Sequence, residues 1–226
     1  MISSLRKRSL HFIHPLLKRL ANIYLSKPRN YKHKGISVKV LPGVFHPGLF
    51  LSTKIFIEFL ETIELKDKKV LELGAGSGLI SLYCARKHAC VTASDINTTA
   101  IEGIRQNALE NNENVQVVLS DLFDSISVNE FDIILINPPY YAKTPKSIEE
   151  NAWFCGSEFE YFYKLFNHLG KVASHHYTVF MILSEDCQIN KILSIARENN
   201  LSSELVFSKK VKLENNYIYK IGSKTL

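Results

Sequence analysis

No stretch of this chain approaches the ~18 consecutive apolar residues that a membrane-spanning helix needs, so the expectation is a soluble protein with no membrane role. Cysteine is sparse: four in 226 residues (Cys84, Cys90, Cys155 and Cys187), with no Cys-x-x-Cys pair and no even framework. That pattern excludes a disulfide scaffold and reads as reduced thiols in a cytoplasmic setting. The eight histidines show no metal-ligand spacing; His175 and His176 are adjacent, which sends them to opposite sides of a strand. No metal is expected. There is neither an internal repeat nor a low-complexity tract.

Acid is missing from one region. Residues 1–57 carry eleven Lys and Arg and no Asp or Glu; the first carboxylate is Glu58. The remainder is mildly acidic, so the net charge of +6 conceals a basic arm on an acidic body. Such an arm suits contact with a polyanion such as nucleic acid or the ribosome. Hydrophobic residues at 46% and charged residues at 22% are ordinary for a globular protein. A chain of this length buries roughly 70% of its unfolded surface without staples. The composition divides at about residue 42: a basic extension over 1–42, with a helix and a hairpin, precedes one domain over 43–226. Within the extension, Leu5, Ile13, Leu16, Leu17, Leu20 and Tyr24 fall near helical spacing, and residues 27–35 read as a linker.

From there strands and helices alternate. Strands are predicted over 36–40, 69–73, 90–94, 115–119, 131–136, 178–183, 202–207 and 217–221, and helices over 50–63, 78–87, 98–110, 159–169 and 188–199. Strands separated by helices specify an α/β fold, a doubly wound and mostly parallel sheet. The final two strands lack an intervening helix and must pair antiparallel.

The most informative segment is Val70-Leu-Glu72-Leu-Gly74-Ala-Gly76-Ser-Gly78. An apolar strand runs into three glycines at alternate positions before a helix, where a ligand can approach the main chain. The spacing is not that of a dinucleotide or phosphate loop. Glu72 beside it disfavours an anionic ligand and suits a cationic one. Asp95 closes the next strand, where a carboxylate can accept both hydroxyls of a ribose. Asp121 follows the strand after that, where it can accept from an adenine amino group.

These residues, in this order, resemble the class I S-adenosylmethionine-dependent methyltransferases, over roughly residues 43–221. The resemblance implies a seven-stranded Rossmann-like sheet and S-adenosylmethionine as cofactor. It implies cofactor contacts at Glu72, Gly74, Ala75, Gly76, Gly78, Asp95, Ile96, Asn97, Asp121 and Leu122.

Asn137-Pro138-Pro139-Tyr140 follows another apolar strand directly. The Pro138 carbonyl and the Asn137 side-chain oxygen are two acceptors able to grip one –NH₂, and Tyr140 can stack on a planar group. With the donor already a sulfonium, no strong base is needed; positioning and electrostatics carry catalysis. The tetrapeptide resembles the signature of methyltransferases that act on planar nitrogens: release-factor glutamine enzymes, adenine-amine enzymes and guanine-amine ribosomal RNA enzymes. Downstream, Thr144-Pro145 and Ala152-Trp153-Phe154-Cys155-Gly156 are similar to the glutamine pattern, with Cys155 where that pattern has glycine. Upstream, Leu41-Pro42-Gly43-Val44-Phe45 resembles a hairpin of the guanine enzymes, and Thr53 is the counterpart of a cofactor-side threonine. The resemblance thus implies a protein glutamine or an RNA or DNA base as methyl acceptor. The competing reading is a catalytically silent scaffold of the same fold that binds RNA or the ribosome. Intact glycines and an intact Asn-Pro-Pro-Tyr count against it.

Overall fold

Strands β3 (Lys69–Leu73) and β6 (Ile133–Ile136) are buried almost end to end, as expected where a parallel strand is covered on both faces. The computed structural model describes residues 25–172, 177–211 and 214–223. Seven strands lie in the order β5-β4-β3-β6-β7-β9-β8. The others are β4 (Cys90–Asp95), β5 (Val115–Leu119), β7 (Thr178–Ser184), β8 (Leu201–Val211) and β9 (Glu214–Ser223). The first five run parallel, and β9 inserts antiparallel between β7 and β8. The α/β sheet with its antiparallel last pair is the fold that the sequence predicts.

The strands' two-residue period separates two apolar layers. Val70, Ile133 and Leu135 face helices α1 (Ser52–Leu60), α2 (Leu79–Arg86) and α3 (Thr98–Asn111). Leu71, Leu73, Ile134 and Ile136 face α4 (Glu160–Lys171) and α5 (Ile189–Glu198). On α4 the buried residues Phe162, Leu165, Phe166 and Leu169 recur at i, i+3, i+4 and i+7, one stripe of a helix.

Four elements differ most from the sequence expectation. Residues read as a linker form strand β1 (Arg29–His33), which pairs antiparallel with β2 (Ile36–Val40). Its alternation of half-buried Arg29, Tyr31 and His33 with exposed Asn30 and Lys32 is masked by polar residue types. Helix α1 is shorter than 50–63, because Phe50 packs on other aromatics instead of continuing the helix. Strands β8 and β9 are longer than expected: backbone pairing carries polar Ser208, Lys209, Lys210, Asn215 and Asn216 in a hairpin that needs no apolar face. The helix expected in the first 24 residues, and the pair His175 and His176, lie outside the described residues.

The hairpin is fastened to α3 by an amide ladder. Asn107 accepts from the Lys39 N–H at 2.8 Å and donates to the Lys39 carbonyl at 3.2 Å. Asn111 makes the same pair of bonds with Ser37, at 3.1 and 2.6 Å. The match is geometric: residues i and i+4 of a helix are about 6 Å apart along its axis, near the ~6.6 Å between residues i and i+2 of a strand. Asn107 also donates to the Ser77 carbonyl at 2.9 Å, so the hairpin and the glycine turn share one buried side chain. Replacing Asn107 by Leu leaves buried backbone groups unpaired and should cost about 3 kcal/mol in urea unfolding. Asn111→Ala, whose bonds are solvent-exposed, should cost under about 1 kcal/mol.

Candidate active site

Parallel pairing in register brings four strand ends to one edge of the sheet. Leu73 pairs with Ser94 and Ile136, and Asp95 pairs with Leu119. The residues that follow, Asp121, Asp95, Gly74 and Asn137, therefore stand in a row. At about 4.8 Å per strand, the row spans roughly 14 Å. Of the expected cofactor contacts and the Asn137–Tyr140 tetrapeptide, all but Gly78 line one cleft; Thr144, Pro145, Cys155 and Gly156 do not. Gly78 lies behind it at the start of α2, left-handed at φ 77°, where an added Cβ would press on Ile104 at 3.1 Å.

Gly74 also has left-handed backbone, φ 68°, and an added Cβ there would meet nothing within 4 Å. The main chain is bare on the cleft side. Asp95 ties this turn to the next one. One carboxylate oxygen accepts from the Gly76 N–H at 2.8 Å and the other from the Asn97 N–H at 2.9 Å. Burial raises the Asp95 pKa, and the backbone N–H groups of Asn97, Gly76 and Ile96 oppose that shift. Asn97 caps α3 by accepting from Thr99 and donates to the Gly43 carbonyl, holding the segment after the hairpin against the cleft.

Glu72 is buried under the turn. Its Oε2 accepts from the Ser81 N–H at 2.8 Å and from the Ser81 hydroxyl, which places the carboxyl at the positive end of α2. Burial nonetheless pushes its pKa up to about 8. A cation in the cleft would favour the ionised form.

At the far end of the row, Lys164 on α4 grips Asp121 and Asp124, each at 2.7 Å. Leu122 is held left-handed, φ 52°, with its carbonyl accepting from the Ser120 hydroxyl. Tyr161, also on α4, lines the cleft between Asp95 and Asp121 and feels both charges.

At the other end, the Asn137 side-chain nitrogen donates to the Ser52 hydroxyl at 3.3 Å. Tyr140 is largely buried, which holds its phenol well above the usual range and hence neutral. The chain just past the tetrapeptide is pinned: the Tyr141 N–H donates to the Trp153 carbonyl, and the Cys155 N–H to the Tyr141 carbonyl. Phe45, Phe50 and Trp153 pack together with ring centroids 4.9–5.1 Å apart, a roof joining segments a hundred residues apart. Sequence reasoning gave Ser52, Tyr161 and Lys164 no role. Each acts across the fold, and no local spacing marks it.

A doubly wound sheet with this glycine turn and row of strand-end side chains defines the Rossmann-like methyltransferase class. Residues 35–153 match the family described as methyltransferase small domain, and the chain belongs to that family. It is 32% identical, over 76% of its length and 90% of the relative's, to a Methanocaldococcus jannaschii protein assigned as a protein N5-glutamine methyltransferase. It is 36% identical over half its length to ribosomal RNA small subunit methyltransferase C of Haemophilus influenzae, of which it spans only 35%. Among solved structures, the E. cuniculi Mtq2–Trm112 complex, which methylates the eRF1 termination factor, aligns with TM-score 0.59 and 22% identity. That alignment covers 80% of this chain and 99% of that one. The T. thermophilus 16S rRNA N2 G1207 methyltransferase, bound to AdoMet and guanosine, aligns with TM-score 0.61 and 17% identity over 88% of this chain and 50% of that one.

Glu72 generates a test of the site's electrostatics. Between about pH 4.5 and 8 the folded chain keeps a proton that the unfolded chain has released, so this group makes stability fall as pH rises through that window. Urea midpoints measured from about pH 5.5 to about pH 8.5 should decline less steeply in Glu72→Gln than in the parent.

Proposed function

We propose that the protein transfers a methyl group from S-adenosylmethionine to a planar –NH₂ nitrogen, that of a protein glutamine amide, on a component of the translation machinery. The observation that carries this is the placement of Asn137 and Pro138 at the tip of β6, beside the bare glycine turn that ends β3.

The cleft suits that cofactor. Its lining contains Glu72, Asp95 and Asp121 and, among the described residues, no Lys, Arg or His. Such a lining favours a cationic ligand and disfavours the pyrophosphate of a nicotinamide dinucleotide. Asp95 would accept from ribose hydroxyls, Asp121 from an adenine amino group, and Gly74 to Gly76 would lie against the ligand. When bound, S-adenosylmethionine supplies a methyl group on a positively charged sulfur. The chain's part is to present the acceptor. Two oxygens, from Asn137 and Pro138, would hold the –NH₂ hydrogens and draw the nitrogen lone pair out of conjugation. Tyr140, neutral as a phenol, serves as a flat wall rather than a base. The amide proton that must leave can pass to water.

Glutamine is favoured over a nucleobase by the near-complete coverage of the M. jannaschii relative and by a cleft without a cation for a phosphate. A nucleobase amine is the second reading, supported by the acid-free first 57 residues, which would attract RNA, and by the ribosomal RNA relatives. Methyl-labelled cofactor and extract from a strain lacking the enzyme separate the two. Label is expected in the protein fraction, on glutamine after digestion; label in RNA alone would select the second reading.

Asn137→Ala should lower turnover at least about 100-fold while cofactor affinity stays within several-fold. Trp153 is the single tryptophan and lines the cleft, so its emission should change as S-adenosylhomocysteine binds. By that signal, Asp95→Asn should weaken binding by about 2 kcal/mol. Unchanged affinity would place the ribose elsewhere.

A further inference from the structure

We propose that Ser52 is the positioning residue of the acceptor clamp: its hydroxyl holds the nitrogen end of the Asn137 amide, so that the oxygen end is presented to the nitrogen being methylated. The inference rests on the activity proposed above.

An asparagine amide is nearly symmetric in shape and opposite in sense at its two ends, one accepting and the other donating. Turned by 180°, Asn137 would offer two N–H groups to an acceptor that is itself –NH₂, and the clamp would repel what it must hold. The flanking chain does not settle the choice, because Pro138 and Pro139 have no N–H to offer the side-chain oxygen. A serine hydroxyl can accept or donate; here Ser52, 85 residues away, meets the nitrogen end, and its bond keeps the amide from rotating. Its Oγ lies 3.3 Å from Asn137 Nδ2, while Asn137 Oδ1 has no protein hydrogen-bond partner among the described residues. One end of the amide is tethered and the other is left for a ligand.

Two features make Ser52 a firm tether. It is 5% exposed, so water competes poorly for the bond. It also opens α1, whose Ile55, Phe56, Phe59 and Leu60 are buried in the layer that packs on the sheet, so the hydroxyl is carried by a helix and not a loop. The sheet places Asn137, and α1 holds its amide by the nitrogen end, leaving the oxygen end open. Misplacing a reacting group by about 1 Å can cost ~100-fold in rate, so a turned amide is expected to matter on that scale.

The test compares Ser52→Ala and Ser52→Thr with the parent, using methyl-labelled cofactor and the unmodified protein extract. For Ser52→Ala the turnover rate should fall roughly 10–100-fold, with affinity for S-adenosylhomocysteine by Trp153 emission within two-fold and the melting temperature nearly unchanged. Ser52→Thr keeps the hydroxyl and should recover most of the rate. A rate within two-fold of the parent for Ser52→Ala, or a parallel loss of rate, affinity and stability, would overturn the assignment. If the parent labels nothing, the activity reading fails, and the tether is judged by NMR alone. The Asn137 side-chain ¹⁵N resonance, identified by its loss in Asn137→Asp, should shift and its protons exchange faster in Ser52→Ala; an unmoved resonance would overturn the tether.

Discussion

Backbone pairing among four parallel strands governs everything the cleft can do. Because Val70 to Leu73 are in register with Ile133 to Ile136 on one side and Val91 to Ser94 on the other, the chain leaves all the strands at one edge. A slip of one residue would turn Leu71 and Leu73 away from α4 and α5 and bring Val70 and Glu72 to face them instead. It would also carry Asp95 or Asn137 out of line with Gly74. The apolar layers that stabilise the sheet and the row of polar groups that forms the site are thus set by the same hydrogen bonds. The side chains at the edge are afterwards trimmed by short-range contacts: Asp95 by the Gly76 and Asn97 N–H groups, Asp121 by Lys164, Asn137 by Ser52.

What was legible in the sequence was what local chemistry marks. The continuous apolar run of Val70 and Leu71, the glycines after Leu73 and the two prolines after Asn137 each have a strong local conformational consequence, and the elements around them form where expected. Strand β1 was not legible, because its core-facing residues are Arg29, Tyr31 and His33, which lie over the hairpin only as half-buried side chains. The ends of β8 and β9 were missed for a related reason: Lys209 and Lys210 carry no apolar signal, yet they pair through the backbone, and Lys209 meets Glu58 on α1. Asn107, Ser52 and Lys164 were invisible as functional candidates since their partners are 30 to 85 residues away, a separation no spacing rule spans.

Charge in the cleft is arranged with one sign. Glu72, Asp95 and Asp121 line it; Lys164, on α4, is engaged with Asp121 and Asp124 at the rim. Carboxyl groups gathered without a cation raise one another's pKa, as burial already does for Glu72 and Asp95. A positively charged ligand would relieve that cost, so its binding would be coupled to ionisation of Glu72. The basic residues of the first 57 positions are of the opposite sign, and none of those described lines the cleft.

The roof over the cleft connects that electrostatic arrangement to the Asn137–Tyr140 segment. Phe45 and Phe50 come from the segment between the β1–β2 hairpin and α1, and Trp153 from the segment past Asn137-Pro-Pro-Tyr. Val44 and Phe45 lie near Gly76, and Asn97 holds the Gly43 carbonyl, so the first segment is fixed to the glycine-turn end. Trp153 and Cys155 pair with the backbone at Tyr141, so the second is fixed to the Asn137–Tyr140 end. Aromatic contact between them puts apolar surface over the cleft, which limits the access of water, and brings no charged side chain to it. Shielding matters because hydrogen bonds from a planar –NH₂ to two oxygens are strong only where water does not compete for either partner. The hairpin, which bears no site residue itself, therefore acts on the chemistry through the segment it anchors.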